Sequence, residues 1–571
     1  MKDTAYEYCR ILLDVLEAQG VKDIIASPGS RNAPLLISCS YREEINTRVV
    51  DDERTAAFIA LGIAMVSRKP VALICTSGTA LYNYAPAVAE AFYQGVPLII
   101  ISADRPFHWI GQEDSQTLVQ PNALREIVKK SFDIPVEVKG SEVKWYVNRI
   151  ANEAAILSMD GKMGPVHINI QFEGALSNVE EIDSFEPRRI IQKIPSLPSL
   201  SPAYTDMLTN ELAGKKILVV AGYMAPDNKL NRYLKYFSTL PGVKIFCETL
   251  SNLHLEGNPY AIDSVISGLD DGTKALLRPD IVISIGGALV SRMLKEYIRA
   301  QKCEVWTLGD SYHGVDVFKN LKYNIELPPS IFFRIFSTQL SKYYSKHKER
   351  ALQLSEYKKL WDKIQKAQIT LRSEFAREQG WTELYAFKTI LESLPKNYNL
   401  FLSNGTCVRY AQLFTERIPH ASYSNRGVSG IDGTNATALG CSLAYSDPTL
   451  LITGDMSFAY APQIMGLDFV PDSFKIIVIN NKGGGIFRFI SPTRYIEHRD
   501  KYFCADPNVP VEALAKTYGW TYLSASSISD LNVALNEFYS AEGNVILEIM
   551  ADEEHSASIL RKYMRLNALN Q

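Results

Sequence analysis

Asp455 closes the apolar run TLLITGD, and the next apolar run, FKIIVIN, closes in Asn480 and Asn481 ahead of a lysine and three glycines. A helix is expected between them over about residues 458–469. The two runs then form one βαβ crossover, whose right-handed sense sets Asp455 beside Asn481 at one sheet edge. A hard divalent cation such as Mg²⁺ takes about six oxygens. The Asp455 carboxylate, the Asn481 amide oxygen and the Gly483 carbonyl supply a first set, leaving places for phosphate oxygens and water. Amides at the start of the helix after Gly454-Asp455-Met456-Ser457 also point at an anion. Together these features make a diphosphate anchor. Each piece alone has a plainer reading, with Asp455 as a helix cap and residues 480–483 as a turn.

A second group of side chains is basic. Ser30 and Arg31 follow a strand-like run in SPGSRNAP, Arg105 follows another in ISADRP, and Gln116 lies in EDSQTLVQP. Further along, Arg409 sits in SNGTCVRY and Arg426 in YSNRGVSGIDG. A guanidinium matches a carboxylate as a bidentate fork, so the set points to substrates carrying several carboxylates. For any single arginine, simple solvation at the surface is the alternative.

The elements that must position these groups alternate short apolar runs with helical segments. VKDIIAS, PVALICTS and PLIIISAD give the rhythm of a parallel sheet, whose ligands gather at the strand C-termini. IPSLPSLSPAYTD reads as a linker after GPVHINIQF, so a first domain spans 1–185. KKILVVAGYMAP, VKIFCETL, PDIVISIGGALV and CEVWTLGD give a middle domain over 206–345. A charged helical passage leads to a third domain over 375–571. The expected class is α/β, with three doubly wound domains built on mainly parallel sheets. CTSGTALYNYAPAVAEAFYQGVPLIIIS and ITGDMSFAYAPQIMGLDFVPDSFKIIVIN share a pattern of strand, turn, Tyr-Ala-Pro, helix and strand, which makes the first and third domains look related.

Bulk properties narrow the function. A chain of 571 residues exceeds a single core, and a net charge of -3 with 22% charged residues favours neither nucleic acid nor membrane as a partner. The eight cysteines are scattered without C-x-x-C spacing, which suits a reducing compartment. With no signal-like start and no run long enough to span a bilayer, a cytoplasmic location is expected. No G-x-x-x-x-G-K-[ST] loop supports a phosphotransferase.

The G-D-x-S run, one crossover, the Asn pair and the glycines together resemble the diphosphate-binding motif of thiamine diphosphate (ThDP) enzymes, with Met456 where many members carry glycine. VVDDERTAAFIALGIAMVSRKPVALICTSGTALYNYAPAVAEAF is similar to their pyrimidine-binding domain, and the middle domain to their non-cofactor domain. The resemblance implies the ThDP-binding fold, with Glu53 opposite the aminopyrimidine, where a carboxylate at N1′ promotes the imino form that deprotonates thiazolium C2. Asp51, Asp52 and Glu53 as an acidic first helical turn is the alternative. Also implied are Gly454, Asp455, Met456, Ser457, Asn481 and Gly483 at the diphosphate and its Mg²⁺ (or Mn²⁺). Ile431 would hold the cofactor bent, and Ile486 and Phe487 would wall the thiazolium, with core packing as the other reading for these apolar residues. A homodimer or homotetramer with active sites at the subunit interface is implied by the same likeness.

SPGSRNAPL, DDER, SADRP, SQTLVQP and SNRGVSGIDG resemble, within a likeness over the whole chain, the 2-succinyl-5-enolpyruvyl-6-hydroxy-3-cyclohexene-1-carboxylate synthase family of menaquinone biosynthesis. That likeness implies decarboxylation of 2-oxoglutarate and conjugate (1,4) addition of the resulting carbanion equivalent to isochorismate. Arg409 and Arg426 would bind the succinyl side, and Ser30, Arg31, Arg105 and Gln116 the isochorismate. Departures are Ser115-Gln116 where the family has Asn-Gln, and Gly405 near a family serine, with Thr406 as its substitute. Arg292 in VSRML stands for a family lysine. Other ThDP-dependent 2-oxoacid decarboxylases or acetolactate-type synthases are the alternative within enzymes, and a catalytically dead relative the alternative outside them.

Overall fold

Runs of valine and isoleucine that are apolar on both faces form strands only where helices cover both sides of the sheet. In the computed structural model, which describes residues 2–136, 140–182, 187–257, 260–309, 314–414 and 419–567, three such sheets occur. The first orders its strands Asn46–Val49, Asp23–Ala26, Val71–Cys75, Leu98–Asp104, Val166–Gln171 and Ser131–Ile134, with every pairing parallel. The chain leaves Asp23–Ala26 in one direction along the sheet and returns on its other side. That reversal opens a crevice beyond the strand C-termini, where Ser30, Arg31 and Arg105 lie.

The third sheet orders Ala421–Tyr423, Asn399–Leu402, Thr449–Gly454, Phe474–Asn480, Val545–Met550 and Thr521–Ala525. Strand for strand this is the order of the first sheet, so the kinship suggested by the Tyr-Ala-Pro pattern extends to topology. Its own crevice places residues 403–406 and Asp455 at the mouth. The middle sheet orders Val243–Cys247, Ile217–Ala221, Ile281–Ile285, Glu304–Gly309 and Leu321–Glu326, all parallel.

The chain divides into two compact units. One comprises the residues up to Pro195 with Asn425–Thr449 and Tyr460–Phe474; the other comprises Ser196–Ser424, Leu450–Ala459 and the residues from Lys475 onward. The expected boundary near 185 falls within residues 183–186, outside the described residues. The middle and third sheets share one unit because buried polar bonds knit them. Arg372, 1% exposed, donates to the Ser267 and Leu566 carbonyls, and the Ser264 hydroxyl meets the Leu413 carbonyl and the Tyr563 hydroxyl.

Within the first unit, the helices Glu53–Ser67 and Thr434–Leu443 touch backbone to backbone at Gly62 and Gly440. A Cβ on either glycine would stand 2.1 Å from a carbonyl oxygen of the other helix. Among the described residues no helix is long and apolar enough to cross a membrane. All eight cysteines are buried and free.

Candidate active site

The strand Thr449–Gly454 delivers Asp455 into a buried corner, 4% exposed. One carboxylate oxygen accepts the Met456 N–H at 2.7 Å, and the other accepts the Gly483 N–H at 2.7 Å. The strand end and the glycine run thus meet, as the crossover argument requires. Burial pushes the Asp455 carboxyl up and the nearby Asp506 charge adds to this, although the two N–H bonds work against it. Among the described residues Asp455 makes no ion pair, which leaves its charge for a divalent cation.

Asn481, also buried, donates its amide Nδ2 to Glu383 Oε1 at 2.8 Å, which leaves its amide oxygen for another partner. The Gly483 carbonyl accepts from Arg488 at 2.7 Å and keeps one lone pair. A carboxylate, an amide oxygen and a carbonyl form a hard oxygen set of the kind Mg²⁺ takes. No cluster of three His, Cys, Asp or Glu suited to a metal occurs among the described residues. Gly483 and Gly484 adopt φ of +81° and +63°, and a Cβ on Gly483 would lie 2.2 Å from the Ala505 carbonyl oxygen. The backbone passes here as only glycine allows.

The helix expected over 458–469 does not form. A four-residue helical turn, Asp455–Phe458, gives way to a 3₁₀ turn, Pro462–Gly466. Pro462 lacks an N–H and forces Ala461 out of the helical region, to φ -150° and ψ 57°. Ser457 is buried and Met456 half-buried on that short turn. Ile486 and Phe487 open the helix Gly485–Phe489, both half-buried, with the Phe487 ring 5.7 Å from that of Phe503.

Glu53 begins the helix Glu53–Ser67, but the capping work falls to its neighbour. Asp52 accepts from the Arg54 N–H and from Thr55 Oγ1 and Gln463 Nε2. Among the described residues Glu53 makes no hydrogen bond or ion pair. It faces buried Cys75 and Tyr84, where burial and then its charge help push the Cys75 thiol up. Of the two readings of this acidic turn, Asp52 satisfies the cap and Glu53 keeps an unspent carboxylate.

The loop carrying Arg426 and Ile431 is held from beneath by the helix Ala85–Gln94. Glu90, 1% exposed, accepts the N–H groups of Gly427, Val428 at 2.8 Å and Ser429 at 3.3 Å. Gln94 Oε1 takes the Arg426 N–H at 2.7 Å. Burial pushes the Glu90 carboxyl up while the three N–H bonds and Arg426 pull it down, and burial dominates. Gly427 is required, since a Cβ there would lie 2.4 Å from the Glu90 carbonyl oxygen.

Arg31 and Arg105 converge on a cleft of about 320 Å³ lined also by Pro106, Trp109, Asp114 and Phe172. Arg105 pairs with Asp114 at 2.8 Å, and Arg31 donates to the Phe172 carbonyl at 3.1 Å. Burial, then the Arg105 charge, lowers the Arg31 pKa, while Asp114 works against them. Ser30 and Gln116 are exposed, Gln116 at a positive φ of 54°. Ser115 is likewise exposed, its N–H donating to the Asp114 carboxylate at 3.1 Å.

Arg409 is exposed and donates to the Gly405 carbonyl. The Arg292 side chain is 75% exposed and tied to Glu296 one turn away, on the outer face of the helix Arg292–Gln301. Lys295, on the same helix, donates to the Leu289 carbonyl, and its charge and that of Arg409 both act on buried Asp263.

Sequence reasoning missed Glu383, Glu90 and Gln120. Gln120 is fully buried and links the Gly78 N–H, the Ala103 carbonyl and Asn169 behind the arginine cleft. Its only signal was a place in SQTLVQP.

The chain is similar to known proteins. Residues 7–124 match the thiamine pyrophosphate enzyme N-terminal TPP binding domain, and residues 403–549 match the C-terminal TPP binding domain. The chain is 37% identical to 2-succinyl-5-enolpyruvyl-6-hydroxy-3-cyclohexene-1-carboxylate synthase of Porphyromonas gingivalis, covering 97% of this chain and 96% of that protein. The proteins of the same name from Flavobacterium johnsoniae and Cytophaga hutchinsonii are 35% and 34% identical, each match covering 97% of this chain and 98% and 97% of the relative. The two cofactor-binding domains and these full-length likenesses agree, and the chain belongs to the family of thiamine diphosphate-dependent 2-succinyl-5-enolpyruvyl-6-hydroxy-3-cyclohexene-1-carboxylate synthases.

Proposed function

We propose that this enzyme decarboxylates 2-oxoglutarate and joins the remaining four-carbon unit to isochorismate by conjugate addition, in the cytoplasm, as a homodimer or homotetramer with active sites at the subunit interface. Asp455, Asn481 and the Gly483 carbonyl would hold Mg²⁺ against the diphosphate, with Gly454, Met456 and Ser457 along the same edge. Thiamine diphosphate, when bound, supplies the carbon centre at which 2-oxoglutarate loses CO₂ and from which the succinyl unit is transferred. Glu53 would accept a hydrogen bond from, and exchange a proton with, the ring nitrogen N1′ of the aminopyrimidine. Ile431 would hold the cofactor bent, and Ile486 and Phe487 would wall the thiazolium, where a dry pocket favours a step in which a localised carboxylate charge is dispersed.

Both substrates are dicarboxylates. Arg409 and Arg426 would take the succinyl carboxylate, and Arg31 and Arg105, with Ser30 and Gln116, the isochorismate. The observation that carries this choice is the convergence of Arg31 and Arg105 on one cleft, where the Arg105 charge adds to burial in lowering the Arg31 pKa. An acetolactate-type synthase acting on pyruvate leaves that pair without work. The test is product analysis with pyruvate alone, 2-oxoglutarate alone, and 2-oxoglutarate with isochorismate. Coupled product from the last mixture only supports the reading, and product from pyruvate alone overturns it.

A further inference from the structure

Asn481 is useful to a cation only if its amide oxygen, not its nitrogen, faces the metal. An asparagine amide turns over readily unless a neighbour distinguishes its two ends. The neighbour here is Glu383, the first residue of the helix Glu383–Ser393, which is 3% exposed. Glu383 Oε1 accepts the Asn481 Nδ2 at 2.8 Å, and Tyr410 also hydrogen bonds to the carboxylate. Its own N–H is held by Ser556 Oγ at 3.1 Å, and Thr382 caps the helix through the Tyr385 N–H.

The acid therefore sits on a rigid helix start with its acceptor oxygen aimed at one end of the amide. Gly485 leaves room for the same end of the amide, since a Cβ there would lie 2.5 Å from Asn481 Nδ2 and displace it. A buried carboxylate near Asp455 is costly to keep, and Asp455 already brings a negative charge to the cation site. Orientation of a ligand is what it offers. Partners that orient metal ligands typically contribute 10–100-fold in metal affinity.

We infer that Glu383 is a positioning residue that locks the Asn481 amide with its oxygen toward the Mg²⁺ site. This rests on the assignment of Asp455 and Asn481 as metal ligands. The test measures Mg²⁺-dependent ThDP binding by protein fluorescence at fixed cofactor, with no turnover, in wild type, Glu383→Gln and Glu383→Asp. Thermal midpoints of the apo proteins are taken alongside.

Glutamine keeps an acceptor at the same reach, and its amide N–H₂ can donate to Tyr410. Aspartate keeps the charge but withdraws the acceptor by one methylene. Positioning predicts that Glu383→Gln stays within about threefold of wild type, whereas Glu383→Asp needs about 10–100-fold more Mg²⁺. That order should hold even where the two apo midpoints are alike. The reverse order, with aspartate the better replacement, assigns Glu383 a charge role and overturns the inference. Equal affinities in all three proteins overturn it as well. If wild type itself shows no Mg²⁺-dependent cofactor binding, the metal-ligand assignment fails, and the inference fails with it.

Discussion

Replacing Glu90 by alanine removes the acceptor for three successive N–H groups in the loop that carries Arg426 and Ile431. Hydrogen bonds to a charged group contribute about 1.5–3 kcal/mol each, so a simple sum would be large. Two corrections reduce it. Val428 and Ser429 are exposed, so water can take over part of their bonding, and Gln94 still holds the Arg426 and Gly427 amides. Removing the carboxylate also ends its own burial cost, which is what raises its pKa. The expected loss is about 3 kcal/mol, with Glu90→Gln losing roughly half of that because its amide N–H₂ confronts other donors. Urea unfolding measures the loss. A loop displaced by about 1 Å should also raise KM for 2-oxoglutarate by 10-fold or more through Arg426. A stability change under about 1 kcal/mol with unchanged KM would refute the reasoning.

Three further outcomes are expected. Gly62→Ala should destabilise by at least about 2 kcal/mol in chemical denaturation, because its Cβ would stand 2.1 Å from the Thr437 carbonyl oxygen and the helices must part. Arg31→Lys trades a planar fork for a point charge and should raise KM for isochorismate by about 10-fold while leaving ThDP affinity within twofold, as steady-state kinetics and fluorescence titration would show. His167 is fully buried, and desolvation lowers its pKa to about 4 from an unfolded value of 6.5. The folded state then binds fewer protons in that window, so stability held above pH 6.5 is lost as the pH falls to about 4, by about 3 kcal/mol. In His167→Gln this slope should vanish from unfolding curves taken across the window. Asp104, with a carboxyl raised to about 6 by burial, is present in both proteins and cancels in the comparison.

The meeting of Asp455 with the glycine run was legible because its signals are local. Asp455, the Asn pair and the glycines occur at strand ends one crossover apart, and strand order is set by handedness and connection length. The helix expected over 458–469 failed at Pro462, whose effect on Ala461 outweighed the apolar spacing around it. Arg292 shows a different limit, since residue type does not tell which face of the helix Arg292–Gln301 meets solvent. Glu90 and Glu383 were invisible for a third reason. Each is an acid on an ordinary helix, and its meaning lies in a partner 337 residues away for Gly427 and 98 residues away for Asn481. Pattern within a window cannot find such pairs. Asp52 and Glu53 were ambiguous until the cap bonds of Asp52 separated them.

In the proposed function, Glu53 is the carboxylate through which the bound cofactor is activated. The most direct measurement compares wild type with Glu53→Gln for isochorismate loss in the presence and absence of 2-oxoglutarate, with ThDP and Mg²⁺ saturating and cofactor binding checked separately. The account predicts that loss requires 2-oxoglutarate and falls by at least about 100-fold in the variant while ThDP still binds. A variant that retains cofactor and turns over within a few-fold of wild type would contradict it.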